Sequence, residues 1–185
     1  MTIEYTSPYG ISSFEDFNKL NKAFVDKTEF INVIDKLDSP YPVLLRPRRF
    51  GKTTFVQMLL CFYDISFKDK YDEIFKGTKI LEMNLPSHNS YHVIKFDFSG
   101  ISGTNVESLI TNFNQKVSVG INDFLIRYPD FEFSNDYTGR DPANFIDEFF
   151  KTFARYSKSK SLYILIDEYD NFANDVLSND RDVFK

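Results

Sequence analysis

Val43-Leu44-Leu45-Arg46-Pro47-Arg48-Arg49-Phe50-Gly51-Lys52-Thr53-Thr54 runs from an apolar segment through a basic turn into Gly-Lys-Thr. Val43 to Leu45, bounded by Pro42 and Arg46-Pro47, predicts a short buried strand. Beyond the turn, Phe55, Val56, Leu59, Leu60 and Phe62 or Tyr63 recur at the spacing of one helix face, predicting a helix from Thr53 to about Tyr63. Strand, tight turn and helix are the parts that phosphate binding needs, in that order. Backbone N–H groups at a helix start face an anion, and the helix dipole favours it. Gly51 would let the backbone approach closely, Lys52 would reach the terminal phosphates, and the Thr53 hydroxyl is placed to ligate Mg²⁺.

One departure is plain. The pattern G-x-x-x-x-G-K-[ST] has its first glycine where this chain has Arg46. Gly-Lys-Thr alone arises by chance in roughly one chain in ten of this length. A plain surface turn before a helix is therefore the bland alternative, and the flanking strand and helix weigh against it.

Working outward, a short helix is predicted from Ser13, and a second from Asp26 to Leu37 with Phe30, Ile31, Ile34 and Leu37 on its apolar side. Ser39-Pro40-Tyr41-Pro42 stops that helix. Downstream, residues 64–90 are mixed and turn-rich, and His92 to Phe98 reads as a strand. A long helix follows from about Val106 to Tyr128, ended by Pro129. Another runs from Pro142 to about Ser157 with Phe145, Ile146, Phe149, Phe150 and Phe153 as its apolar set. Leu162 to Ile166 is a continuous apolar run, read as a buried strand. Strands alternating with helices predict one α/β domain with a mainly parallel sheet flanked by helices.

That last strand ends in Asp167-Glu168. Open α/β sheets hold their ligands at the carboxyl ends of their strands. Asp167 is placed to hold Mg²⁺, and Glu168 to polarise a water that attacks the terminal phosphoanhydride. An ordinary strand ending in solvated acids is the plainer alternative.

Composition narrows the class. With 21 Phe and 11 Tyr the chain can bury a large apolar area, which excludes intrinsic disorder. A net charge of −5 gives no electrostatic reason for non-specific nucleic-acid binding. The lone Cys61 cannot form an internal disulfide, and its place on the packing helix makes it a core residue. The start MTIEYTSPYG is no signal peptide, and no apolar run approaches membrane-spanning length, so the cytoplasm is the expected compartment. His88 and His92 lack an accompanying carboxylate or cysteine pattern, so no metal site is expected there.

Three strings, Phe24-Val25-Asp26-Lys27-Thr28-Glu29-Phe30-Ile31, Leu45 to Thr53, and Ile166-Asp167-Glu168-Tyr169-Asp170, occur in that order, with Tyr9-Gly10-Ile11-Ser12-Ser13-Phe14 at the start. In this the chain resembles the AAA-ATPase-like family, P-loop NTPases whose members commonly carry a PD-(D/E)XK nuclease-like domain further along. The likeness covers nearly all of residues 1–185, and Arg-Pro-Arg-Arg-Phe-Gly-Lys is its most specific part. The resemblance implies an AAA/ASCE-type fold in which Arg46 replaces the first glycine of the Walker A loop. It implies ATP and Mg²⁺ as cofactors, with Arg46, Arg48, Arg49, Phe50, Gly51, Lys52, Thr53 and Thr54 around the phosphates. Thr53 and Asp167, the latter in Walker B position, would hold the metal; Lys52 and Glu168 would act in hydrolysis. It also implies a further strand between the phosphate-loop strand and the acidic one, beyond Lys185 in sequence, together with a sensor, an arginine finger and the nuclease-like domain. A fragment incomplete at the C-terminus is thus expected. Its expected partners are the nucleotide, that domain or a partner protein, nucleic acid only through that domain, and other copies of the chain in a ring; no membrane is expected.

Several residues keep two readings. Arg48 and Arg49 add charge around the triphosphate, contact a partner, or form a solvated basic loop. Asp26, Lys27 and Thr28 contact the base, as in related ATPases, or cap the following helix. Tyr169 and Asp170 position the acidic pair or cap a helix, and the phenylalanine-rich helix is core or docks a further domain. Against the ATPase stands a non-hydrolysing interaction module with a degenerate phosphate loop. Nuclease activity within these residues has no Asp…Glu-x-Lys constellation to support it.

Overall fold

The computed structural model describes residues 13–19, 25–45, 47, 50–101, 106–157 and 161–170. They belong to two compact units that divide between His92 and Val93.

The first unit holds α1 (Glu15–Lys19), α2 (Glu29–Asp35), α3 (Lys52–Tyr63), a 3-10 turn (Ile65–Lys70), α4 (Tyr71–Ile74) and α5 (Lys79–Met83). On α3, Phe55, Met58, Leu59 and Phe62 stand at i, i+3, i+4 and i+7, and all are buried, as is Cys61. The helix stops where Asp64 turns extended and its carboxylate accepts the Ser66 amide at 2.8 Å, opening the 3-10 turn. Asn89 closes the same end from a distant loop. Its amide donates to the Phe62 carbonyl and its side chain to the Asp64 carbonyl, both at 2.7 Å. These are carbonyls that a helix end leaves without intrahelical partners.

The rings of Phe14, Phe62, Tyr71 and Phe75 form the unit's aromatic core, with Tyr71 and Phe75 at 5.0 Å and Phe62 edge-on to Phe75 at 6.0 Å. His88 stacks on Tyr71 at 4.3 Å. The Tyr71 hydroxyl is buried with no hydrogen-bond partner among the described residues. Burial, with the Asp72 carboxylate as a lesser cause, pushes its pKa up to about 12 from 10.0. Folding therefore favours the neutral phenol. The stability this group contributes is whole below pH 10.0 and is lost as pH climbs to about 12. Tyr71→Phe is expected to flatten that alkaline loss. At neutral pH it should leave stability unchanged or raise it by up to about 1 kcal/mol, because an unsatisfied polar atom is removed. Denaturant midpoints measured across both pH ranges check the two expectations.

In the second unit, β1 (His92–Asp97) and β2 (Leu162–Asp167) form a small parallel sheet, with α6 (Val106–Arg127) and α7 (Pro142–Tyr156) between them in sequence. The Phe98 amide donates to the Asp167 carbonyl at 3.1 Å, so the two strands end side by side. Val117, Ile121 and Phe124 are the fully buried row of α6. Gly120 sits in that row because a Cβ there would lie 2.7 Å from the Lys95 carbonyl oxygen and from the Phe96 ring. The end of α6 serves the start of β1: Arg127 donates to the Val93 carbonyl at 2.7 Å, and the Tyr128 hydroxyl accepts the Val93 amide at 3.3 Å. Helix α7 opens with Pro142 in its first turn and the Asp141 carboxylate accepting the Asn144 amide at 3.0 Å.

Phe145, Phe149 and Phe153, at i, i+4 and i+8 of α7, are buried among rings from the preceding loop and α6. Phe149 meets Phe124 and Phe133 edge-on at 5.3 Å each and Phe131 at 5.6 Å. Phe149→Ala should cost about 3–5 kcal/mol, read from chemical denaturation. A cost near 1 kcal/mol would mean that the cluster collapses around the deletion.

Three expectations need correction. Val43, Leu44 and Leu45 form no strand; they are 66%, 38% and 77% exposed and have no strand partner among the described residues. A strand is made by its neighbour, and three residues between Pro42 and Pro47 offer little ladder to pair. Strand β2 is not buried throughout. Leu165 and Asp167 face inward while Ile164 and Ile166 are exposed, the alternation of a strand covered on one face. Helix α2 buries only Ile31 of its expected apolar set; Phe30 and Leu37 are exposed.

Candidate functional site

The turn before α3 takes its shape from Gly51, which adopts the left-handed conformation at φ 74°, ψ 28° as the residue capping the helix start. That conformation costs an L-residue about 1–2 kcal/mol and glycine essentially nothing. The Gly51 carbonyl accepts the Phe55 amide at 2.9 Å, the first bond of the helix. Among the described residues no side chain caps this end. The amides of Lys52, Thr53 and Thr54 therefore form an uncapped first turn without intrahelical partners, at the positive end of the helix dipole. Thr53 and Phe50 are exposed, and Lys52 and Thr54 are half-buried. Arg46, Arg48 and Arg49 lie outside the described residues.

Asp26 and Thr28 work as a pair. One Asp26 carboxylate oxygen accepts the Thr28 amide at 2.8 Å and the Thr28 hydroxyl at 2.7 Å; the other accepts the Lys79 amide at 2.9 Å. The Thr28 hydroxyl oxygen in turn accepts the Ile80 amide at 3.1 Å. Burial alone would raise the Asp26 pKa, but bonds from the Thr28 hydroxyl and the Lys79 and Thr28 amides, with the Lys79 charge, hold it below the usual carboxylate value. The two residues thus cap α5. They do not cap the helix that follows them, where Thr28 makes no side-chain cap.

In the second unit, Asp167 is 4% exposed, and its carboxylate accepts the Glu168 amide at 3.1 Å. Glu168 stands in left-handed backbone at φ 54°, a conformation rare outside glycine and common where a structure holds a residue for a purpose. Asp97 closes the neighbouring strand, a position that the sequence reading passed over although its signal, a strand ending in Asp before Ser-Gly, was present. Burial would raise its pKa, but hydrogen bonds from Ser99 and the charges of Lys95 and Lys116 hold it low, so it is ionised. Tyr169 is exposed just beyond Glu168.

No group of three or more His, Cys, Asp or Glu that could hold a metal ion occurs among the described residues. Thr53 belongs to the first unit and Asp167 to the second.

The described residues combine helices with a small parallel sheet, and they carry Gly-Lys-Thr at a helix start and Asp-Glu at a strand end. The model of the AAA-ATPase-like family, described as predicted AAA-ATPase, matches residues 8–185, and the chain belongs to that family. No match was found among curated proteins or among solved structures. Membership supports AAA-like ATP binding and implies use of a nucleotide. No helix among the described residues is long and apolar enough to cross a membrane.

Proposed function

We propose that the chain is a Mg²⁺-dependent ATP-binding P-loop module that hydrolyses ATP and couples nucleotide state to an attached nuclease-like or partner domain. The observation that carries this reading is the left-handed Gly51 opening an uncapped α3 at Lys52-Thr53-Thr54. Bound Mg²⁺ would neutralise phosphate charge, with Thr53 and Asp167 as its protein ligands. Lys52 and the α3 amides bind the phosphates, and Glu168 orients and accepts a proton from the attacking water. Titrating the protein with a fluorescent ATP analogue, with and without Mg²⁺, and then following phosphate release tests both parts. Saturable, Mg²⁺-strengthened binding with release supports the reading; a folded protein that binds no nucleotide removes it.

A second reading, a non-hydrolysing interaction module, is favoured by one observation. Phe30 and Val33 on α2, with Leu37, Tyr41, Val43 and Leu45 after it, are exposed apolar residues in a short span of chain. Binding without phosphate release in any assembly would favour it over hydrolysis.

A further inference from the structure

Within Asp26-Lys27-Thr28 the outer two residues are committed to the fold. Asp26 has both carboxylate oxygens engaged with Thr28 and Lys79, and Thr28 is fully buried. The Lys27 carbonyl accepts the Phe30 amide at 3.2 Å, so the backbone of the middle residue is held as well. Its side chain goes elsewhere. A Cβ built on Gly51 would lie 4.0 Å from the Lys27 ammonium nitrogen. Gly51 therefore has Lys52 as its neighbour in the chain and Lys27 as its neighbour in space.

The Lys27 ammonium and the positive end of α3 thus meet at one glycine, with Lys52 next to it in the chain. Among the described residues neither Lys27 nor Lys52 has an ion-pair partner. The acid next in sequence, Asp26, is already engaged. A cation and a helix start without a counter-charge both favour an anion at the turn. A polyphosphate, with several negative charges within a few ångströms, suits that concentration better than a single carboxylate.

We propose that Lys27 is a second phosphate-binding cation of the nucleotide site, held against the Gly51 turn by the Asp26–Thr28 clamp on α5. This rests on the nucleotide-binding reading and deepens it. It assigns Lys27 to the phosphates and not to the base, and it explains a motif in which two residues anchor and the third reaches.

The test measures Mg·ATP-analogue affinity of the whole chain at several salt concentrations for wild type, Lys27→Ala, Lys27→Arg and Lys52→Ala. Lys27→Ala should weaken binding about ten- to a hundredfold, as expected for loss of a charged hydrogen bond. The slope of log affinity against log salt should fall with it, and Lys27→Arg should keep most of both. If Lys27→Ala lowers the melting temperature, Lys27→Gln, which keeps the stem, carries the same comparison. Unchanged affinity in Lys27→Ala alongside loss in Lys52→Ala overturns this proposal alone. Weakened binding with an unchanged salt slope also overturns it, because it would point to the base or to packing. Absence of binding in wild type overturns this proposal and the reading beneath it together.

Discussion

Lys52→Ala should lower affinity for ATP on the order of 100-fold or more while leaving the fold intact. Lys52 is the first residue of α3, half-buried, with no ion pair among the described residues, so its removal breaks no ion pair there. Alanine is also the better helix former by a few tenths of a kcal/mol, so the melting temperature should hold or rise slightly. Binding is different. The ammonium would make charge-assisted hydrogen bonds to phosphate worth about 1.5–3 kcal/mol each, and each 1.4 kcal/mol is about tenfold in affinity. The uncapped amides of Lys52, Thr53 and Thr54 persist in the variant, so weak residual phosphate binding is expected. A titration that gives the same dissociation constant as wild type would remove Lys52 from the site.

Glu168→Gln should leave ATP affinity within about threefold of wild type and slow phosphate release by about 10²–10⁴, the usual worth of a positioned general base. The amide has the shape of the carboxylate but cannot take a proton. The bond from the residue-168 amide to the Asp167 carboxylate, and the left-handed backbone at φ 54°, are kept in the variant. A change in turnover therefore reports the lost base and not a reshaped strand end. Glu168→Gly is the control for strain. It should stabilise the protein by up to about 1 kcal/mol while losing turnover, because glycine adopts this backbone without cost. Single-turnover phosphate release in the three proteins decides the matter. Equal rates in wild type and Glu168→Gln would leave Glu168 as a strained residue without a role in hydrolysis.

The aromatic cluster was legible in the sequence, because Phe145, Phe149 and Phe153 recur on one helix face; Ile146 and Phe150, expected with them, are only half-buried. Helix α3 was read to within a residue at its start and correctly at its end. For β1, β2 and the long α6 the starts were read correctly and the ends to within a residue; their signals are a change of period and a breaker at the boundary. The apolar run at Val43 to Leu45 misled because apolarity marks residues able to be buried and does not name what would bury them. Ile164 and Ile166 misled for the same reason.

The sequence by itself determined the family, the helix and strand periods, the chemistry gathered in Gly-Lys-Thr, and the acidic pair at the end of β2. These are local properties, set by side chains a few residues apart. Only the tertiary structure decided that Asp26 reaches across 53 residues to cap α5, that Gly51 lies beside Lys27, and that β2 is covered on one face. Such pairings join residues that the chain path brings together. A hydrogen bond or a charge contact between distant segments leaves no period in either of them.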